Sequence, residues 1–373
     1  MDSGSAFMKG RILVLTGDPP ETPGGMEHLI REMKKGLEGL GYTTEVLHRH
    51  NASPSWVARP ANRWQSYLAD TLMGWYLGRG VRQRMGEDVV AVLSNAFFGW
   101  PLPRHPERVK KIHFYHGTYR GQSEAIGPFI SRAGACKLKW WDSMVLERLS
   151  GRGKQILCNS EQTRGEVRRF FGYEGATVWL PLDTAHFRPL DKLEARRSLR
   201  LAERKPVGLF VGSTQPAKGF PVVRRLIEAL PEVEWILALQ GHVPQDMEQN
   251  DGVTVFPNAA SEILPRLYSA ADFTVCPSRY ESFGYVVAEA LACGTPVIAA
   301  PGGASRFFLS EPPLNRLLVS RPDAVEDFLA TARRVIENPD SYRQMVIESV
   351  RPKIEEIMAP GNWWRRFSEL TGL

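Results

Sequence analysis

Residues 276–304, CPSRYESFGYVVAEALACGTPVIAAPGGA, constrain the fold more than any other stretch of the chain. An apolar run closes at Val275, Pro277 and Ser278 break it, and apolar residues return at helical spacing from Tyr285 to Ala292. Gly294 then stops the helix and ProValIleAlaAla resumes a strand. The spacing therefore predicts strand end, loop, helix, strand, with Glu281 just ahead of the helix N-terminus. The amides of Ser282, Phe283, Gly284 and Tyr285 are expected to lack intrahelical acceptors there, and the positive end of the helix dipole suits an anion such as phosphate. Gly284 lets a ligand approach the backbone closely. Glu289 lies eight residues beyond Glu281, about 12 Å along a helix, so the two carboxylates can grip opposite ends of one elongated polar ligand. An anion site between two hydroxyl-binding acids describes a nucleotide-sugar. Taken as an isolated pair, the same residues also read as a helix cap and a solvated helix residue.

The rest of the chain supplies a setting for this segment. RILVLT, residues 11–16, reads as a buried strand, followed by the Pro/Gly loop GDPPETPGG, an amphipathic helix from about Met26 to Leu40, and a second strand beginning at ThrThrGluValLeu. This alternation predicts a parallel Rossmann-like sheet whose ligands lie beyond the C-terminal strand ends, where Gly24 and Gly25 fall. Lys110 to Phe114 is a further strand, ending in TyrHisGlyThr, so His116 is placed for ligand contact. KQILCNS, residues 154–160, is the last strand and loop of this half, and VGLFVG, residues 207–212, opens a second parallel sheet. Lys218 stands in GSTQPAKGF between that strand and a helix beginning near Phe220. Neither GxGxxG nor GxxxxGK[ST] occurs, which removes the main support for dehydrogenase and NTPase readings.

SRYESFGYVVAEALACGTPVIA closely resembles the donor-binding segment of the retaining glycosyltransferases of family four. The resemblance covers most of the chain and is strongest from Phe210 to Gly303. It implies an α/β GT-B fold, two Rossmann-like domains with parallel sheets facing a central cleft, that closes on its substrates. It also implies a nucleotide-sugar donor, UDP- or GDP-linked, a glycan or lipid-linked acceptor hydroxyl, and transfer with retention. By the same resemblance Glu281 touches the donor sugar, the Ser282, Phe283, Gly284 and Tyr285 segment the sugar or phosphate, and Glu289 the ribose. Lys218 corresponds to the phosphate-binding lysine, His116 to the histidine that contacts the sugar, and Gly24 and Gly25 to the loop against the phosphates. Two positions depart from the pattern. Ser213, directly after Gly212, stands where relatives carry a phosphate-binding arginine, and Arg306 stands where they carry a glutamate, so the two changes read either as a relocated cation or as a lost one with Arg306 in solvent. WLPLDTAHFRP, residues 179–189, resembles the interdomain segment without its Asn-Gly. The expected division is an N-terminal acceptor-binding domain over 1–195, with 1–7 a cloning remnant, a nucleotide-sugar-binding domain over 196–358, and a helix over 359–373 crossing back.

At 373 residues the chain exceeds one hydrophobic core, and 43% hydrophobic content describes a folded enzyme. Four scattered cysteines without a CxxC pair favour reduced thiols and a cytoplasmic protein over a disulfide or zinc framework. No Asp-x-Asp occurs, and no further ligands accompany His113 and His116, so no metal and no separate cofactor are expected. No apolar run reaches membrane-spanning length, and no secretory signal is expected. A net charge of +6 predicts an anionic partner, and without a nucleic-acid signature nucleic acid is set aside. Residues 52–85, with Trp56, Arg59, Arg63, Trp64, Tyr67, Trp75, Tyr76, Arg79, Arg82 and Arg84, and residues 137–148, with Trp140 and Trp141, fit either an anionic bilayer interface or inward packing. An epimerase of the same fold and a non-catalytic nucleotide-binding or membrane-scaffold protein are the other readings.

Overall fold

The computed structural model describes residues 9–22, 25–59, 63–100, 102 and 108–373. The chain divides into two compact units, residues 1–181 together with 364–373, and residues 182–363.

Unit 1 holds six strands, β1 (Arg11–Leu15), β2 (Thr43–Leu47), β3 (Val89–Asn95), β4 (Lys110–Tyr115), β5 (Gln155–Cys158) and β6 (Ala176–Thr177), in the order β2-β1-β3-β4-β5-β6. Every pairing is parallel. A parallel sheet covered on both faces needs nearly continuous apolar strands, and Ile12, Leu13, Val14 and Leu15 are all fully buried. The helix Gly25–Gly39 buries Leu29, Ile30, Met33 and Leu37, a repeat of three and four residues that lays one apolar stripe on the sheet. The last helix, Pro360–Thr371, brings Trp364 against Gly36, where a Cβ would lie 1.9 Å from the indole. Lys110 Nζ donates to the Thr371 carbonyl at 3.0 Å.

Unit 2 is built on β7 (Val207–Ser213), β8 (Glu234–Gln240), β9 (Val253–Pro257), β10 (Phe273–Cys276) and β11 (Val297–Ala299), in the order β11-β10-β7-β8-β9, all parallel. The chain runs outward from β7 through β9 and then returns to the other side of β7 with β10. This reversal is a topological switch point, the place where open α/β sheets bind ligands. The ladder joining β7 to β10 is short, pairing only Phe273 with Gly208 and Thr274 with Leu209.

Below that ladder, Asp272 joins the two strands at their N-terminal ends. Its backbone amide donates to the Val207 carbonyl at 2.8 Å and its carboxylate accepts from the Val207 amide at 2.7 Å. The same carboxylate pairs with the buried Arg196 guanidinium at 2.7 Å and with Lys192 at 2.5 Å.

The sequence places the boundary after residue 195, whereas the compact units part after Pro181. The intervening segment belongs with unit 2 because its backbone is bonded there: the Leu182 amide to the Met358 carbonyl at 2.9 Å, the Leu190 amide to Ser269 Oγ at 3.1 Å, and the Phe187 carbonyl to Arg351 at 3.1 Å. At the other end the division falls at Trp364, with Trp363 fully buried.

Asp272→Ala should leave the Arg196 charge buried without its carboxylate. The expected cost is about 3–5 kcal/mol, read as a fall in the urea midpoint of unit 2. A loss below about 1 kcal/mol would mean that the pair does not hold β7 to β10.

Candidate functional site

In unit 2, three loops meet at the C-terminal ends of β7, β10 and β11. The β7 loop turns through Gly219 at φ +75°, and a Cβ there would lie 2.2 Å from the Pro277 carbonyl of the β10 loop. The Arg279 amide donates to the Ala217 carbonyl at 2.9 Å, fixing the two loops to each other. Gly303, at φ +44°, is pressed in the same way against the Phe283 carbonyl, which accepts from the Ala304 amide at 2.6 Å. These contacts require bare backbone, which is why glycines stand at both positions.

The result is that Lys218, from the β7 loop, and Glu281, from the β10 loop, meet across the switch point with Nζ and Oε2 3.0 Å apart. The carboxylate raises the lysine pKa further above its ordinary value, so the ammonium is fixed in its charged form. Both side chains remain open to solvent, Lys218 by 43% and Glu281 by 22%. Exposed pairs of this kind contribute little to stability, so their value lies in what they present to a ligand.

The helix behind Glu281 spans Tyr285–Ala292, as its periodicity predicts, and Gly284 caps it at φ +92°. The Val287 and Ala288 amides already close on the Gly284 carbonyl at 3.1 Å. Ser282 and Phe283 therefore precede the helix rather than forming its first turn, and the positive end of the dipole lies at Gly284 and Tyr285. Glu289 is one turn further in. Its carboxylate accepts from the buried Tyr268 hydroxyl at 2.8 Å, and burial pushes its pKa up to about 7, against the opposing pull of that hydrogen bond and of His186. The solvated-helix alternative for Glu289 does not hold: it is a half-buried acid with a dedicated donor. Tyr268 itself carries no sequence signal, because it lies 21 residues away on another helix.

Of the two departures, Ser213 ends β7 half-buried beside Gly212. Arg306 lies in the last turn of the short helix Gly303–Phe308, exposed, and its guanidinium has no partner among the described residues.

In unit 1, His116 follows β4, and its Nε2 lies 2.8 Å from Asn95 Oδ1 at the end of β3. The Asn95 amide nitrogen donates to the Leu15 carbonyl at the end of β1, at 3.0 Å. That orientation leaves only an acceptor facing the ring, so Nε2 carries the hydrogen. Burial pushes the His116 pKa down to about 4, so the ring is neutral and Nδ1 holds a lone pair. Asn95, the residue that selects this tautomer, is another that the sequence does not single out.

Beside these strand ends is a cavity of about 310 Å³ lined by Asp18, Glu27, Arg49, Asp70, Lys137 and Asp142, among others. Its aromatic wall joins Phe97 to Phe98 and Tyr119, with ring centroids 4.7 and 5.3 Å apart. Gly25 opens the helix that carries Glu27, while Gly24 lies outside the described residues. Lys137 and Asp142 meet at 2.8 Å because residues 137–147 wind as a π-helix, which brings positions five apart into line.

Two family models match the chain, "Glycosyltransferase Family 4" over residues 23–181 and "Glycosyl transferases group 1" over residues 191–351. A D-inositol 3-phosphate glycosyltransferase from Geodermatophilus obscurus is 34% identical over 64% of this chain and 56% of its own length. Another, from Segniliparus rotundus, is 31% identical over 42% of this chain and 40% of its own. The matches thus span well under two thirds of these curated relatives. Among solved structures, a sucrose-phosphate synthase from Thermosynechococcus elongatus superposes with a TM-score of 0.79 at 19% identity, covering 97% of this chain and 98% of that one. WaaG, a glycosyltransferase involved in lipopolysaccharide biosynthesis, gives 0.72 at 13% identity over 97% and 100%.

The Glu289 carboxyl should titrate near pH 7 in a carbon-13 NMR experiment, protonated below and ionised above. Tyr268→Phe removes a bond that favours the charged form and should move the midpoint upward. A midpoint in the ordinary carboxylate range near 4.5 would contradict the buried setting.

Proposed function

The chain belongs to the GT-B glycosyltransferases of family-four type, and we propose that it transfers a hexose from a UDP- or GDP-sugar to an acceptor hydroxyl, with retention at the anomeric carbon and without a metal. The observation that carries this reading is the Lys218–Glu281 pair at the switch point of unit 2. In the free protein the cation suited to a diphosphate and the acid suited to a sugar hydroxyl neutralise each other. A nucleotide-sugar supplies both missing partners, phosphate oxygens for Lys218 and a hydroxyl for Glu281, so the pair opens onto the donor without leaving either charge bare. Glu289 and Tyr268 then lie one turn into that helix, where a ribose would bind.

In the proposed step the bond from the anomeric carbon to the diphosphate oxygen breaks, and the acceptor oxygen bonds to that carbon. The acceptor proton leaves with the departing diphosphate. Negative charge therefore grows on the phosphates, where Lys218 and the positive end of the Tyr285–Ala292 helix already point. Neutral His116, with its lone pair on Nδ1, offers a hydrogen-bond acceptor to a substrate hydroxyl. The donor nucleotide is inferred from the family type, and a fold neighbour from Anabaena is in complex with UDP and glucose. An acceptor-independent epimerase of this fold, or a nucleotide binder without turnover, is separated from this reading by an assay for sugar transfer.

Specific exposures favour a second element, attachment to an anionic membrane from the cytoplasmic side, with a glycan precursor in polysaccharide synthesis as the material handled. Trp75, Trp140 and Trp141 are exposed by 47, 55 and 46%. Trp141 Nε1 donates to Thr71 Oγ1 at 2.9 Å, which sets the two aromatic segments side by side. Arg79 lies over the Trp75 ring at 6.0 Å and Lys139 over Trp140 at 5.3 Å. Rings and cations alternating on one open face suit lipid headgroups. Arg84 does not take part, because it is bonded to Glu45 and to the Gly80 carbonyl. The side chains of Arg63, Trp64 and Tyr67 lie outside the described residues. No helix among the described residues is long and apolar enough to cross a membrane.

Lys218→Ala should lower turnover of a nucleotide-sugar by roughly tenfold or more, with a smaller effect on KM, because the phosphate contact strengthens as the leaving group gains charge. Turnover at the wild-type rate would sink the assignment. Separately, phosphatidylglycerol vesicles should sediment the protein at low salt and release it as salt rises. Trp140→Ser with Trp141→Ser should weaken that retention severalfold, whereas equal sedimentation of wild type and double variant would exclude this face.

A further inference from the structure

The cavity in unit 1 is unusual in its balance of charge. Asp18, Glu27, Asp70 and Asp142 line it against two cations, Arg49 and Lys137. Both cations are already engaged. Arg49 Nε lies 2.8 Å from Asp18 Oδ1 and 3.1 Å from the Gly17 carbonyl. Lys137 Nζ donates to both oxygens of Asp142 at 2.8 Å and to Asp70 at 3.3 Å. Glu27 forms no ion pair among the described residues, and burial raises its pKa, joined by the Asp18 charge and opposed by a backbone hydrogen bond and the Arg31 and Arg49 charges. An anionic group entering here would meet carboxylates and no uncommitted cation, whereas an ammonium would meet an open carboxylate in partly desolvated surroundings. The Phe97, Phe98 and Tyr119 rings offer a face on which the apolar side of a sugar ring or a cation rests favourably. The volume, about 310 Å³, is at the lower end of small-molecule sites and suits one ring rather than a chain of them.

We propose that this cavity receives an acceptor ring that bears an ammonium group and no phosphate. The proposal rests on the glycosyl-transfer reading for its use of the word acceptor and narrows the substrate class. Glu27 takes the ammonium through a charge-assisted hydrogen bond, the aromatic wall supports the ring, and the Arg49–Asp18 and Lys137–Asp142 pairs present oriented donors and acceptors to its hydroxyls. It sets this chain apart from the relatives named for inositol 3-phosphate, since a phosphate is the group this lining rejects.

The test uses three forms of one ring at about pH 7, where an alkyl amine of this kind is largely protonated. Glucosamine, glucose and glucose 6-phosphate are titrated into the full chain and followed by saturation-transfer NMR. Glucosamine should bind roughly tenfold tighter than glucose, as expected for one charged hydrogen bond, and glucose 6-phosphate should show no saturable binding. Glu27→Gln should bring glucosamine to within about threefold of glucose, and Glu27→Asp should retain most of the preference. Binding of glucose 6-phosphate as tight as that of glucosamine would overturn the proposal, as would an unchanged preference in Glu27→Gln or no binding of any of the three. If Glu27→Gln does not fold, the wild-type ranking decides alone. Nucleotide-sugar turnover measured on the same preparation separates the two readings. Turnover without selectivity for the amine removes only the acceptor class, and selectivity without turnover removes only the transfer.

Discussion

The two-residue ladder between β7 and β10 is the constraint on which the site in unit 2 depends. Strands that paired along their whole length would close the sheet at its switch point. Here Asp272 gathers the N-terminal ends of both strands, with two backbone bonds and two cations on one carboxylate, and only Phe273 and Thr274 pair with β7 above it. Beyond them the loops carrying Lys218 and Glu281 are joined by an amide-to-carbonyl bond from Arg279 to Ala217 in place of strand pairing. The buried pair at one end of the strands and the exposed pair at the other differ in consequence. Arg196 and Asp272 are out of water and must satisfy each other, while Lys218 and Glu281 remain wet enough to change partners.

What could be read in the sequence follows from what is local. The segment 276–304 shows its strand, helix and strand because each rests on short-range periodicity and on glycines whose backbone geometry only they tolerate. Lys218 and Glu281 were legible one at a time, by resemblance, but their 3.0 Å contact spans 63 residues and no spacing rule reaches that far. Tyr268, Asn95 and Asp272 were missed for the same reason, since each acts on a residue of a different element. The compact units part after Pro181 rather than after residue 195 because 182–190 has no regular periodicity and is tied to unit 2 by its backbone bonds to the Met358 carbonyl and the Ser269 and Arg351 side chains. Arg84 read as one more surface arginine until β2 brought Glu45 beside it.

Unit 1 uses the same strand-end geometry for a different electrostatic purpose. Carbonyl, amide and imidazole run in series from Leu15 through Asn95 to His116, so the end of β1 determines which imidazole nitrogen carries the hydrogen. Because burial keeps that ring uncharged, the cations lining the cavity beside these strand ends are Arg49 and Lys137, and both are paired. The positive charge of the chain as a whole therefore does not describe this cavity. Its lining carries an excess of acid, while Arg79 and Lys139 lie over the Trp75 and Trp140 rings elsewhere in the unit.

The local balance of charge likewise bears on the two substituted positions of unit 2. A relocation of the missing cation from Ser213 to Arg306 requires the Arg306 guanidinium to reach the loops at the ends of β7 and β10. Instead it leaves the exposed side of the last turn of a six-residue helix whose N-terminal glycine is the part pressed against Phe283. Position 306 is three residues past that contact, nearly a full turn on. With Ser213 neutral, the charge at the switch point includes that of Lys218 and the dipole of the Tyr285–Ala292 helix, opposed by Glu281, with Arg279 carried on the same β10 loop. A diphosphate held with one fewer cation gains more from each that remains. Under the proposed function, stabilising a departing nucleotide would fall chiefly to Lys218, whose placement depends on Gly219 packing without a side chain against the Pro277 carbonyl.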